Sequence, residues 1–154
     1  GYTQIGRGRG HLLERIDSLP FHWVIVPQTL HLSTPLVYST LDGMRGESAP
    51  AVPSAPSEGL IDALFTGDAK ALAGELVNDL AAPAISLAPQ IQGVLDTGAK
   101  LGALAGMVSG SGPTCVFLAE DAEHQARLVD GFETAGLYAL RASSPARGAH
   151  LLRD

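Results

Sequence analysis

The order of elements along the chain predicts an α+β fold. The expected form is a ferredoxin-like split β-α-β arrangement with extra helices, an antiparallel sheet covered by helices. Three observations carry this expectation. A β-branched and aromatic run at 21–27 precedes a long stretch with helical spacing. Two short apolar runs, 103–108 and 115–119, flank a glycine-rich turn. A further helical stretch then leads to two short closing runs. The expected order is β-α-(loop)-α-α-α-β-β-α-β-β.

Each element has its own signal. The chain opens as a strand passing into the glycine turn Gly6-Arg-Gly-Arg-Gly10. Phe-His-Trp-Val-Ile-Val over 21–26, ended by Pro27, suits a strand. In 33–42 a hydroxyl residue stands before Pro35, so Thr34 is the expected N-cap, Pro35 the first helical residue and Gly43 the stop. Residues 43–58 carry Pro50, Pro53 and Pro56 at every third position. That spacing predicts an extended, flexible loop inside the domain. Between 59 and 82, two short helices are separated by Gly67-Asp68, with Asp68 as a cap and Pro83 ending the second. Residues 87–100 form another helix with Ile91, Val94 and Leu95 inward and Gly102 beyond its end. The strands at 103–108 and 115–119 follow, then a helix over 121–136 and closing strands at 137–142 and 148–152.

Composition narrows the function classes. The chain has 154 residues, 45% hydrophobic and 17% charged, which is enough apolar material for a core and excludes global disorder. Ten Lys/Arg against sixteen Asp/Glu give a net charge of −6, with no basic run, which argues against a nucleic-acid partner. No apolar run approaches the roughly 18 residues that span a bilayer, so no membrane partner is expected. A single cysteine, Cys115, cannot form an internal disulfide and sits in an apolar strand, where a buried, inert thiol is expected. These features suit a cytoplasmic protein. The chain has no initiator Met and begins inside an element, which reads as the middle of a longer protein.

Three segments could carry chemistry. In Ser109-Gly-Ser-Gly-Pro-Thr114 the glycines allow a left-handed backbone that can bring amides toward an anion. The same residues would equally make a tight hairpin turn, and both readings stay open. The loop lacks the Gly-Lys-Ser/Thr ending of a Walker A motif. Gly6-Arg-Gly-Arg-Gly10 reads as a flexible turn with two solvated arginines, or as an arginine-assisted phosphate contact. Tyr38, one helical turn after Thr34, is either a core-edge residue or an aromatic plate on which a flat base stacks. The five histidines show no metal-ligand spacing, and no nucleophile–base pair can be read.

Taken together, Gly6-Arg-Gly-Arg-Gly10, the strand ending at Pro27, Leu32-Ser-Thr-Pro-Leu-Val-Tyr38 and Val108-Ser-Gly-Ser-Gly-Pro-Thr-Cys115 resemble the C-terminal half of the galacto-/homoserine/mevalonate/phosphomevalonate (GHMP) kinase family. Within it, Ser-Thr-Pro followed by an aromatic resembles the actinobacterial-type kinases of the non-mevalonate isoprenoid (terpenoid) route. The resemblance implies transfer of the γ-phosphoryl of ATP, with Mg²⁺, to the 2-hydroxyl of a cytidine diphosphate methylerythritol substrate. It implies one C-terminal, substrate-side domain over 1–154, with the N-terminal ATP-binding kinase domain absent. No catalytic residue, no metal and no cofactor are then expected in this chain alone. By the same resemblance, Tyr38 stacks on cytosine, Thr34 and Pro35 line that pocket, and Ser109, Gly110, Ser111 and Gly112 shape the phosphate end of the cleft. Two positions depart from the family pattern: His11 stands where an acidic residue is usual, and Met107-Val108 where Arg-Met is usual. Two alternatives remain: a homoserine- or mevalonate-type member of the family, and a non-catalytic ferredoxin-like binding module.

Overall fold

A computed structural model describes residues 1–46 and 55–149 and turns the aromatic run near residue 21 into the pivot of a sheet. The chain begins with an antiparallel ribbon of β1 (Gln4–Arg7) and β2 (Leu12–Arg15). Then come β3 (Phe21–Val26), α1 (Thr34–Arg45), α2 (Glu58–Thr66), α3 (Ala69–Glu75), α4 (Ala81–Leu87) and α5 (Gln90–Lys100). The order closes with β4 (Ala105–Val108), β5 (Cys115–Ala119), α6 (Ala122–Thr134) and β6 (Leu140–Ser144). The main sheet runs β4-β5-β3-β6, antiparallel throughout. Its central pair, β3 and β5, is far apart in sequence, while each edge strand neighbours one of them. That is the split β-α-β topology the sequence predicts.

Alternation along the strands buries both faces of this sheet. Val24, Val26, Val108, Cys115, Phe117 and Ala119 point into a core shared with Val37, Ala84, Ile91, Leu128 and Phe132. Phe21 and Leu118 point the other way, into a smaller core closed by Ala63, Leu64 and Leu72 of α2 and α3. In the larger core the Phe117 and Phe132 rings meet tilted, 4.7 Å between centroids. Such a pair adds about 0.5–1.5 kcal/mol beyond its buried area. Gln125 is the one buried polar side chain among the described residues. Its Nε2 donates to the carbonyls of Trp23 and Ala142 at 2.7 Å each, tying α6 to β3 and β6.

Several boundaries differ from the sequence reading. Ser33 rather than Thr34 is the N-cap of α1, with extended backbone and no side-chain capping bond; Thr34 is already helical and Pro35 lies in the first turn. A proline costs nothing anywhere in that turn, where N–H groups have no intrahelical partner, so its position does not fix the cap. Helix α1 also runs through Gly43 to Arg45. It stops at Gly46, whose φ of +61° takes the left-handed turn and whose N–H reaches the carbonyls of Asp42 and Gly43. Of the expected loop 43–58, residues 43–46 therefore belong to α1 and its cap, and Ser57 caps α2. Residues 47–54, with Pro50 and Pro53, lie outside the described residues.

Asp68 does cap α3, accepting from the N–H groups of Lys70 and Ala71. That helix ends at Glu75, however, and Pro83 sits buried within α4 rather than ending a helix. Helix α5 starts at Gln90 after Pro89, with Ile91 and Val94 buried as expected. β4 starts two residues late at Ala105, and β6 occupies 140–144 rather than 137–142. The expected strand over 148–152 falls largely outside the described residues, and residues 148 and 149 are not in a strand.

Candidate functional site

Sheet register gathers two of the three candidate segments at one end of the molecule; the third, residues 6–10, lies instead at the turn between β1 and β2. Val26, the last residue of β3, pairs with Cys115, the first of β5, and Cys115 also pairs with Val108, the last of β4. The connection that leads into α1 and the loop 109–114 therefore leave the sheet side by side. Thr34 Oγ1 and Ser111 Oγ lie 2.8 Å apart in a hydrogen bond across 77 positions of sequence. The hydroxyl that does not cap α1 thus serves instead to join the helix start to the glycine loop.

The loop is a hairpin turn and a shaped surface at once. Ser109 N–H donates to Thr114 O at 2.8 Å and Gly112 N–H to Ser109 O at 2.9 Å, closing it on itself. Gly110 and Gly112 have φ of +56° and +78°, a region side-chain-bearing residues rarely adopt. A Cβ on Gly112 would also lie 3.0 Å from Val108 Cγ1 and 3.4 Å from Leu32 Cδ1. No protein group among the described residues accepts from the N–H of Gly110 or Ser111. Two adjacent amides without a protein acceptor are the kind of donors that can receive an anion where a turn aims them the same way.

Helix α1 displays the predicted aromatic. Val37 is fully buried, while Tyr38 next to it is 53% exposed. The ring is available at the surface, one turn from Thr34, and both readings of Tyr38 remain compatible with that exposure. Pro35 lies in that same first turn.

One residue of this region was not singled out from sequence. Asn78, in the segment between α3 and α4, uses its whole amide. Nδ2 donates to Val108 O at 2.7 Å and to Gly110 O at 2.8 Å, and Oδ1 accepts from Leu80 N–H at 3.0 Å. An Asn two residues before the N-cap of a helix was the available signal. Beside it, Asp79 pairs with Arg45 at the end of α1, 3.0 Å between Nη2 and Oδ2.

A sizeable cavity among the described residues lies elsewhere. A volume of about 670 Å³ opens between the β1–β2 ribbon, α2, α3 and the opposite face of the sheet, lined by Ile5, Phe21, Trp23, Leu60, Leu64 and Leu72 among others. None of Thr34, Pro35, Tyr38 or 109–112 borders it. Its walls are mainly apolar, and the basic residue on them, Arg7, is ion-paired with Glu14. We place the candidate site at the Thr34–Ser111 junction because polar groups converge there, on an open surface that could form one wall of a cleft.

Ionisable chemistry is sparse. Burial pushes the Cys115 thiol up to about 11, which makes it a core residue and not a nucleophile. Asp121 is held below the usual carboxylate range, chiefly by the His124 N–H it accepts as N-cap of α6. Among the described residues no three His, Cys, Asp or Glu side chains come close enough to hold a metal, and no helix is long and apolar enough to cross a membrane.

Comparison with known proteins identifies the family. 4-Diphosphocytidyl-2-C-methyl-D-erythritol kinase of Leifsonia xyli subsp. xyli is 45% identical over 160 residues, covering 100% of this chain and 52% of that protein. The protein of the same name from a Nocardioides species is 44% identical over 154 residues, covering 99% of this chain and 51% of its own length. A crystal structure of 4-(cytidine 5'-diphospho)-2C-methyl-D-erythritol kinase superposes with a TM-score of 0.74 at 27% identity, over 91% of this chain and 48% of the other. Mevalonate kinase of L. major, at 16% identity and a TM-score of 0.64, shares the fold. The chain thus spans about half the length of the curated relatives it matches. The family model described as "GHMP kinases C terminal" matches residues 60–137, from α2 through the glycine loop to the end of α6, and the chain belongs to that family.

Proposed function

We propose that the chain is the substrate-side half of an ATP-dependent kinase that phosphorylates the 2-hydroxyl of 4-diphosphocytidyl-2-C-methyl-D-erythritol in isoprenoid biosynthesis. The observation that carries this reading is the 2.8 Å bond between Thr34 and Ser111, which joins two of the family-like motifs into one polar surface beside an exposed Tyr38. The relatives at 44–45% identity supply the substrate class.

In this reading Tyr38 stacks on the cytosine ring, Thr34 and Pro35 line its pocket, and Ser109 to Gly112 turn the Gly110 and Ser111 amides toward the phosphates. Phosphoryl transfer depends mainly on positioning and charge stabilisation. Those are the tasks these residues can perform. ATP and Mg²⁺ supply the transferred group and its charge neutralisation. Nothing in the described residues resembles a lysine-bearing phosphate cradle or a cluster of metal ligands. The companion N-terminal domain would hold both. A half-cleft of this kind is expected to lack kinase activity by itself.

The test compares the full-length protein with its Tyr38→Ala variant, by calorimetric titration with cytidine diphosphate and by kinase turnover. Trp23 is an unsuitable reporter, because its indole bonds Ser144 and lines the cavity on the opposite face. Base–aromatic stacking is worth about 1–3 kcal/mol per base, so affinity should fall about 5- to 150-fold. Unchanged affinity in Tyr38→Ala would remove the cytosine plate. A full-length protein that does not bind cytidine diphosphate at all would point to another substrate within the family.

A further inference from the structure

We propose that Asn78 is the positioning residue of the nucleotide cleft: it fixes the glycine loop in its binding shape before any ligand arrives. The proposal rests on the reading of that loop as the phosphate end of the cleft.

The loop carries two glycines in left-handed conformations, and glycine loses more conformational freedom on ordering than any other residue. Left to itself, such a turn would spend much of its time away from the productive geometry, and the groups it carries would be misplaced for the reaction. Its own closing bonds, Ser109 to Thr114 and Gly112 to Ser109, hold the two ends together but leave Gly110 and Ser111 at the tip. Asn78 acts at that point. Its two amide hydrogens are spent on the carbonyls of Val108 and Gly110, at 2.7 and 2.8 Å, on either side of Ser109. With Gly110 O held inward, the amide that follows it belongs to Ser111, and that amide has no protein acceptor among the described residues. The Ser111 hydroxyl is meanwhile engaged with Thr34. One side chain from outside the hairpin therefore sets the orientation of the peptide that carries the binding N–H.

Asn78 is itself well anchored. Oδ1 accepts the Leu80 N–H at the entry to α4, and Leu80 is buried in the larger core. Arg45 pairs with the adjacent Asp79. The segment that presents Asn78 is thus tied both to α1, which bears Thr34 and Tyr38, and to α4. No substrate atom needs to touch Asn78 for it to act in this way.

The informative variant is Asn78→Asp in the full-length protein. It keeps an acceptor for Leu80 N–H but removes both donors and sets a carboxylate against two carbonyls. If the variant does not fold, Asn78→Ser replaces it, keeping an acceptor without the charge. We expect kcat to fall on the order of ten- to hundredfold, as for a misplaced catalytic surface. KM for the cytidyl substrate, governed by Tyr38, should change less than twofold, and the thermal midpoint should fall by a few degrees at most, as expected for two hydrogen bonds lost on a partly exposed loop. Amide NMR of Gly110 and Ser111 with ATP–Mg²⁺ and with cytidine diphosphate accompanies the kinetics. If wild-type loop amides respond to a ligand but the variant keeps its kcat, Asn78 is not a positioning residue. If kcat, KM and thermal midpoint all move together, its role is only structural and the proposal is likewise overturned. If wild-type loop amides respond to neither nucleotide, the reading of the loop as the phosphate end has failed, independently of Asn78.

Discussion

Gly98 and Gly93 lie on the same helix, α5, and the structure predicts opposite outcomes when each becomes alanine. Alanine gains up to about 1 kcal/mol over glycine in a helix interior, so propensity alone would stabilise both variants. A Cβ on Gly93 would meet nothing within 4 Å, and the full gain should appear. A Cβ on Gly98 would sit 2.1 Å from Cε1 and 2.4 Å from Cδ1 of Phe117. Carbon atoms in contact prefer about 3.5–4.0 Å, so the ring would have to retreat by more than an ångström. It has no room to do so. Phe117 is fully buried, rests against Phe132 at 4.7 Å, and is approached by Gly106, whose own Cβ would come within 2.6 Å of the same ring. Overpacking of this kind costs about 1–3 kcal/mol. At a contact this short the upper part of that range applies, and subtracting the helix gain leaves a net loss of about 2 kcal/mol. For a domain of this size the melting temperature should drop by about 4–8 °C. Urea titration followed by far-UV circular dichroism, with calorimetry alongside, measures both variants. Gly98→Ala should lose less when introduced into Phe117→Leu than into wild type. A Gly98→Ala protein as stable as Gly93→Ala would show that the ring can move, and the close-packed picture of this core would be wrong.

Other outcomes follow from neighbouring features. Val37→Ala, at a fully buried position beside Tyr38, should cost about 2 kcal/mol in denaturant titration. Tyr38→Ala should leave stability within about 0.5 kcal/mol. The Cys115 thiol rises from 9.0 to about 11 in the folded chain, so the native state keeps its proton where the unfolded state has lost it. Its contribution is present in full below pH 9 and is lost as pH rises toward 11, up to about 3 kcal/mol by linkage, read from melts of wild type and Cys115→Ala. Asp121 behaves in the opposite sense. Its lowered pKa means that Asp121→Ala should melt below wild type at neutral pH, with the gap closing as pH falls through the cap's own titration.

The parts of the fold that could be read from sequence are those fixed by neighbouring residues. Asp68 and Asp121 cap helices through amides two or three positions away, so each announces its helix start. The hairpin of β4 and β5 is equally local, with two apolar runs closed by a glycine turn. What escaped reading depends on contacts between distant segments. Ser33 and Thr34 both suit a cap on paper; Ser33 takes the position, while the Thr34 hydroxyl engages Ser111 from 77 positions away. Pro83 ended a helix in the sequence reading, yet a proline is also tolerated in a first turn, and only the break after Glu75 decides between the two. Asn78 carries no motif of its own; its meaning comes from the two carbonyls that happen to face it. Tyr38 was legible as a candidate, and the structure adds that its ring is exposed.

The pairing of Val26 with Cys115 also has a consequence for how the chain is made. β3 leaves the ribosome 89 residues ahead of its first central partner, and synthesis at about 5–20 residues per second leaves it waiting on the order of 4–18 s. During that interval Phe21 to Val26 is an uncharged, proline-free strand with no sheet to join, the type of segment that seeks other chains. The nascent helices α1 to α5 can shield its two faces, but the hydrogen-bonding edges stay open until β5 and β6 arrive. Thr34 and Ser111 meet at the end of the same delay. Truncated or stalled products should therefore be both insoluble and devoid of the cleft surface, and holdase chaperones should engage this stretch of the polypeptide first.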